Sequence, residues 1–360
     1  MFNQPLKVIF IPGSGEGNPY QKLLSDSLSK ENVHVSFGLD LRLFLTSRSC
    51  KKYWKPKVIH FHWLHPLIIA PSNAWKTILK SVTFIGELLI LKLFGIKMVW
   101  TVHNIVNHEK KFSFLESFFT KLFAIFCNEI IVHSQFAKKE VIKIYKIKES
   151  LITVVPHGNY IDYYKNTISR EQARQQLTLN KKDVVFLLFG QIRSYKGVPE
   201  LINAFKNLKS QQTKLLIIGK PRNNKMISDI QNECKKNKNI KAVLEFILKD
   251  EVQVYMNASD IIILPYRNVL TSGAAILTMS FAKPIIAPAI GCMPELLGKN
   301  GGILYNPTEK DGLIKAMRRA LKINFKKMGK YNFEFAKQLP WHKIAKKTCN
   351  VYQQCLKTKN

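Results

Sequence analysis

VVFLLFGQIRSYKGVPELINAF, residues Val184 to Phe205, opens with an apolar run that ends at Phe189. The run is too short for a helix and too hydrophobic for a strand wetted on one face, so it reads as a strand of a parallel sheet covered on both sides. It stops at Gly190. A turn carrying Arg193 and Lys196 follows, and helical spacing begins at Leu201, Ile202, Phe205 and Leu208, with Pro199 in the first turn where a missing N–H costs nothing. Two cations and free helix amides thus lie past the carboxyl end of a parallel strand. Open α/β sheets bind ligands at that edge, and such a helix end favours phosphate. The expected ligand group is a diphosphate; solvated loop charges are the plain alternative. The spacing matches neither the P-loop nor the GxGxxG turn, which disfavours those nucleotide modes.

Outward from this stretch, the chain alternates strands and helices. Strands are expected at Lys7–Pro12, Val33–Phe37, Lys57–Trp63, Lys97–His103, Glu129–Ser134 and Ile152–Pro156, with helices at Pro19–Ser29, Ala74–Phe94, Ser113–Phe126 and Phe136–Tyr145. After a polar link near Tyr163–Ser169, strands recur at Val184–Phe189, Lys214–Gly219, Ile240–Phe246, Asp260–Pro265, Pro284–Pro288 and Gly302–Tyr305. Helices are expected at Asp311–Leu321 and Trp341–Leu356. Two such series argue for an α/β chain of two Rossmann-like parallel-sheet domains facing across a cleft. The boundaries are expected at residues 1–165 and 166–330, with a C-terminal helical segment over 331–360; the stretch from Lys310 to Asn360 is strongly cationic.

The bulk numbers agree with two folded domains: 360 residues, 46% hydrophobic and 11% aromatic. Lys and Arg number 56 against 24 Asp and Glu, a net charge of +32. That excess implies attraction to polyanions, meaning nucleic acid, an anionic membrane face or phosphorylated small molecules. Both halves are basic and no arm or RNA-binding signature concentrates the charge, so nucleic acid is not an expected partner. Six scattered cysteines without a CxxC read as reduced thiols of an intracellular protein. No signal peptide and no uncharged run long enough to span a bilayer is visible.

Two apolar stripes need a reading. Leu115, Phe118, Phe119, Leu122, Phe123 and Phe126 lie beside Lys110, Lys111 and Lys121; Trp75, Ile78, Leu79, Val82, Phe84 and Ile85 lie beside Lys76 and Lys80. Both are expected to face the core. The alternative is insertion at a membrane interface, where apolar rings and lysines act together.

Further candidates for chemistry sit at other strand ends. Gly13-Ser14-Gly15-Glu16-Gly17-Asn18 follows the first strand, where glycines let backbone approach a ligand. His60, His62 and His65 cluster in VIHFHWLHP; without a nearby acid or cysteine, packing or substrate contact is preferred to a metal site. His103 and Asn104 end another strand, where a histidine can hydrogen-bond a sugar hydroxyl or act as a base. His157 ends a third. Finally, LPYRNVLTSGA places Tyr266, Asn268, Thr271, Ser272 and Gly273 at a second strand-to-helix turn, ready for an anion or simply capping the helix.

GQIRSYKGVPELINAF, ASDIIILPY, TSGAAILTMSFAKPIIAPAIGCMPELL, TVHN, VVPHGNY and the late Trp341 segment together resemble GT-B glycosyltransferases of the family 4 type over nearly the whole chain. The resemblance implies that Arg193, Lys196 and Gly190 hold the nucleotide diphosphate, that the Gly15–Gly17 turn approaches donor sugar and acceptor, that the residue at His103 contacts the transferred sugar, and that the last helix crosses back onto the first domain. Two glutamates usual in the family fall on Val269 and Leu277, and Gln191 stands where an arginine is familiar.

The resulting expectation is transfer of a hexose from a nucleotide-diphosphate sugar to a lipid-linked or growing saccharide in surface polysaccharide synthesis. The catalytic candidates are His103, Arg193 and Lys196, with the other named residues binding substrate. No cofactor or metal is expected, and the location is the cytoplasmic face of an anionic membrane. A nucleotide-sugar epimerase of similar architecture would turn over donor alone. A non-catalytic polyanion-binding protein on a degenerate scaffold would turn over nothing.

Overall fold

The structure is a computed structural model and describes residues 4–13, 18–38, 56–70, 73–105, 112–210 and 212–357. The chain divides into two compact units. The first comprises residues up to Gly158 together with those from Leu339 onward, and the second runs Asn159–Gln338. The sequence had suggested breaks at 165/166 and 330/331.

The first unit is a six-stranded parallel sheet formed by β1 (Leu6–Ile11), β2 (Val33–Phe37), β3 (Val58–Phe61), β4 (Lys97–Thr101), β5 (Glu129–Val132) and β6 (Ile152–Val154), in the order β2-β1-β3-β4-β5-β6. Strands β3, β4 and β5 are buried along their whole length, whereas the edge strand β2 is partly exposed, as a sheet covered on both faces requires. One face is closed by helix Tyr20–Ser29 and by the last helix, Trp341–Lys357. Ile344, Ala345, Cys349, Val351, Tyr352 and Cys355 join Leu6, Val8, Phe10, Leu24 and Leu28 in one core. The terminal helix thus belongs to the first unit. The opposite face carries helices Ala74–Leu93 and Ser113–Phe126, where the Phe61, Phe84, Trp100 and Phe123 rings interlock.

The second unit repeats the plan with β7 (Val184–Phe189), β8 (Thr213–Ile218), β9 (Ile240–Val243), β10 (Ile261–Ile263), β11 (Ile285–Pro288) and β12 (Gly302–Tyr305), in the order β12-β11-β10-β7-β8-β9, all parallel. Chain order runs outward in both directions from the β7/β10 pair, so the topological switch point lies between those two strands. The crevice past their carboxyl ends is where such sheets bind ligands. A buried network secures the other end. Arg174 donates to the carbonyls of Asn180, Lys181, Asp183 and Ala258 and to Asp260, which also accepts from Arg170 and from Val185 N at the start of β7.

The strands at Lys57–Trp63 and Lys97–His103 are shorter than the sequence suggested, so His62 and His103 lie just past strand ends. The two apolar stripes differ more. Phe84, Phe119 and Phe123 do face the core, but Trp75, Leu79, Val82 and Phe118 are exposed. Periodicity identifies an apolar face without saying which way it turns. Here the polar Thr77 and Ser81 occupy the core side because each finds a carbonyl acceptor there.

Candidate active site

Two strand edges gather the chemistry. In the second unit, the turn after β7 holds Gly190, Arg193 and Lys196. Gly190 has φ +100, a conformation open to glycine and strained for other residues. A Cβ there would lie in van der Waals contact with Lys196 Nζ. Gly197 (φ +67) leads into helix Val198–Lys206, and any Cβ on it would drive into the Pro265 carbonyl. The turn is therefore clamped to the loop after β10. Arg267 N donates to Tyr195 O at 2.8 Å, the Tyr195 and Tyr266 rings lie 5.9 Å apart, and Arg267 pairs with Glu200.

Lys196 is 7% exposed, and its ammonium makes no hydrogen bond or ion pair among the described residues. Burial, with the neighbouring Arg193 charge adding to it, lowers its pKa to about 8. Arg193 is half-buried; its guanidinium donates to Ile192 O and to Gln191 Oε1, both at 2.9 Å. On the facing loop, Ser272 caps helix Gly273–Ser280 by accepting from Ala275 N at 3.1 Å, and the Tyr266 hydroxyl lies 3.5 Å from Ser272 Oγ. Thr271 and Gly273 are partly exposed beside it and Asn268 is exposed. Val269 and Leu277 are buried apolar side chains, so no carboxylate stands at either position.

In the first unit, four consecutive strands each deliver a histidine just past their carboxyl ends: His62 after β3, His103 after β4, His133 after β5 and His157 after β6. Tyr20 packs edge-on or tilted against all four, with ring centroids 5.9, 4.9, 5.4 and 5.0 Å away, and against Trp341 at 5.5 Å. His62 Nδ1 lies 3.2 Å from His103 Nε2, so one ring donates and the other accepts. His133 Nδ1 donates to Val155 O at 2.8 Å and His157 Nδ1 to Gly158 O at 2.7 Å, which leaves each Nε2 as a lone-pair acceptor. His62 Nε2 and His133 Nε2 are buried with no hydrogen-bond partner among the described residues. Burial drops the pKa of His133 to about 4 and of His157 to about 3, and holds His62 and His103 well below the usual value, so the edge is uncharged at neutral pH.

His60 stands apart. Its Nδ1 meets Tyr352 Oη and its Nε2 meets Thr101 Oγ1, both at 2.7 Å, which makes it a core histidine. Among the described residues no cluster of histidine, cysteine or carboxylate could hold a metal ion. Asn18 accepts from Tyr20 N at the start of the first helix, and Asn104 is half-buried beside His103. Gly15 and Gly17 lie outside the described residues. His133 was not singled out by the sequence reading, although a histidine after each of four successive strands was there to be seen.

Residues 169–335 match the family described as Glycosyl transferases group 1, and residues 9–162 match Glycosyltransferase Family 4. The chain is a GT-B glycosyltransferase of the family 4 type. A GDP-mannose:glycolipid 4-beta-D-mannosyltransferase of Xanthomonas campestris pv. campestris is 26% identical over 303 residues, 83% of this chain and 79% of that protein. A lipopolysaccharide 1,2-N-acetylglucosaminetransferase of Salmonella typhimurium is 26% identical over 204 residues, 54% of this chain and 53% of that one. Among solved structures, sucrose-phosphate synthase from Thermosynechococcus elongatus aligns with a TM-score of 0.75 at 18% identity, covering 98% of this chain and 99% of that one. Anabaena HepE in complex with UDP-glucose aligns with a TM-score of 0.74 at 15% identity, covering 96% and 99%. The likeness to these two structures is one of fold and runs through both parallel-sheet units.

Proposed function

We propose that this glycosyltransferase moves a hexose from a nucleotide-diphosphate donor to a hydroxyl of a lipid-linked saccharide in surface polysaccharide assembly. The observation that carries the reading is Lys196: a buried lysine whose ammonium has no counter-ion among the described residues, in the turn after β7 at the switch point of the second sheet. An unpaired buried cation is costly, and a diphosphate is the group that repays it. Arg193, Lys196 and the amides at Ser272 and Gly273 would neutralise charge building on the departing diphosphate, a preorganised term that is often the largest in such chemistry. His103, held by His62, would contact the sugar or accept the acceptor proton, and the bare nitrogens of His62 and His133 suit hydroxyl donors.

The Xanthomonas relative makes GDP-mannose and a glycolipid the first pair to test. The +32 charge favours residence at the anionic cytoplasmic face of a membrane, where a polyprenyl-linked acceptor is found. The test is incubation of the purified chain with labelled nucleotide sugars, with and without lipid-linked saccharides. Transfer of label to lipid only when both are present supports the proposal. Conversion of donor alone would make it an epimerase, and no turnover with any pair would leave a binding protein.

A further inference from the structure

Helix Ala74–Leu93 is apolar on two opposite sides. Its core side carries Phe84, Leu88 and Leu91, and its other side shows Trp75, Leu79, Val82, Leu89 and Leu93 to solvent. Positions 75, 79, 82, 86, 89 and 93 follow the helical repeat, so they form one stripe about 27 Å long at 1.5 Å per residue. Gly86, the one member without a side chain, faces open space. Trp75 is 78% exposed and Leu93 86%, the reverse of what a helix on a globular surface shows. Helix Ser113–Phe126 packs beside it through the stacked Phe84 and Phe123 rings and repeats the pattern with Phe114, Phe118 and Ile125 exposed at 80, 55 and 72%.

The charges on this face have one sign. Lys76, Lys92 and Lys121 are exposed, while Glu87 and Glu116, the acids of these helices, are buried. We infer that the two helices form an insertion surface for an anionic phospholipid bilayer, lying in the interface with their apolar rings among the acyl chains and their lysines at the headgroups. No described helix is long and apolar enough to cross a membrane, which fits a helix lying along the surface. A second copy of the chain is the poorer occupant, because it would bring lysine against lysine in a molecule already at +32. The inference does not depend on which sugar is moved, or on turnover at all.

The test is flotation of the purified full chain with vesicles of phosphatidylcholine alone, or of equal parts phosphatidylcholine and phosphatidylglycerol, the latter also with brominated acyl chains. The chain is expected to float with the anionic vesicles, and the brominated lipids are expected to quench its tryptophan fluorescence. Trp75→Phe should float normally and lose most of that quenching. Leu93→Gln and Phe114→Ser should each weaken binding about tenfold, the affinity equivalent of one buried apolar side chain. Their melting should not change, since both side chains are exposed. Lys76→Gln with Lys121→Gln should weaken binding to anionic vesicles at low salt. Three results would overturn the assignment: no flotation, flotation indifferent to Leu93→Gln and Phe114→Ser, or a lipid-free dimer that those substitutions dissociate.

Discussion

Replacing Lys196 with methionine should make the unliganded protein more stable while destroying its affinity for a nucleoside diphosphate. Lys196 is 7% exposed and the pKa of its ammonium falls from 10.5 to about 8. Its free-energy cost at neutral pH is therefore about 3 kcal/mol, at about 1.4 kcal/mol per tenfold change in proton affinity. Allowing for water that reaches Nζ, about 2 kcal/mol should be recovered, because methionine fills a similar volume without charge. That corresponds to a rise of about 4–8 °C in the melting of the second unit. The sign with pH follows: the folded pKa is depressed, so the stability difference is absent above pH 10.5 and grows as pH falls to about 8. Nucleoside diphosphate binding should restore the proton. Near pH 8 the wild type should take up about half a proton on binding, and more as pH approaches 9. Calorimetric titration with GDP and UDP in buffers of different ionisation enthalpy measures this uptake directly. Equal affinity of wild type and Lys196→Met, or binding without proton uptake at pH 8, would refute the reasoning.

Three further outcomes follow from the same structure. Acidification should loosen the first unit: the folded pKa of His133, about 4, lies below the ordinary value of 6.5, so stability is complete above pH 6.5 and is lost as pH falls towards 4. At pH 5 the loss is about 2 kcal/mol for each histidine so buried; His133→Gln should reduce the slope in urea titrations run from pH 7 to 5. Arg174→Met should cost about 3–5 kcal/mol by removing the buried cation that pairs with Asp260 and by leaving the Asn180, Lys181, Asp183 and Ala258 carbonyls without this donor, measurable as a lower denaturant midpoint. Gly197→Ala should unseat the Arg193–Lys196 turn from Pro265, weakening nucleoside diphosphate binding with little change in circular dichroism.

The fold was legible because its parallel strands are buried on both faces, and apolar runs such as VVFLLF and VIHFHW announce that burial. The position of Arg193 and Lys196 was legible too, since a cation pair between the run Val184–Phe189 and the helix that starts near Pro199 must sit past the end of β7. Three things were not. Helix Phe325–Lys337 carries lysines along most of its length and buries only Gly329, Asn332 and Ala336, so its apolar period is faint. The exposed stripes on Ala74–Leu93 and Ser113–Phe126 look like core from periodicity alone; only the backbone acceptors available to Thr77 and Ser81 decide which side turns inward. The histidine edge escaped because His62, His103, His133 and His157 lie far apart in the chain, and the parallel order of β3 to β6 is what sets them side by side.

The most direct test of the central claim is a crystal structure of the wild-type chain grown with GDP or UDP. The account predicts diphosphate oxygens within hydrogen-bond reach of Lys196 Nζ, with the amides of Ser272 and Gly273 turned towards them. A diphosphate seated elsewhere, with the Lys196 ammonium still bare, would contradict it.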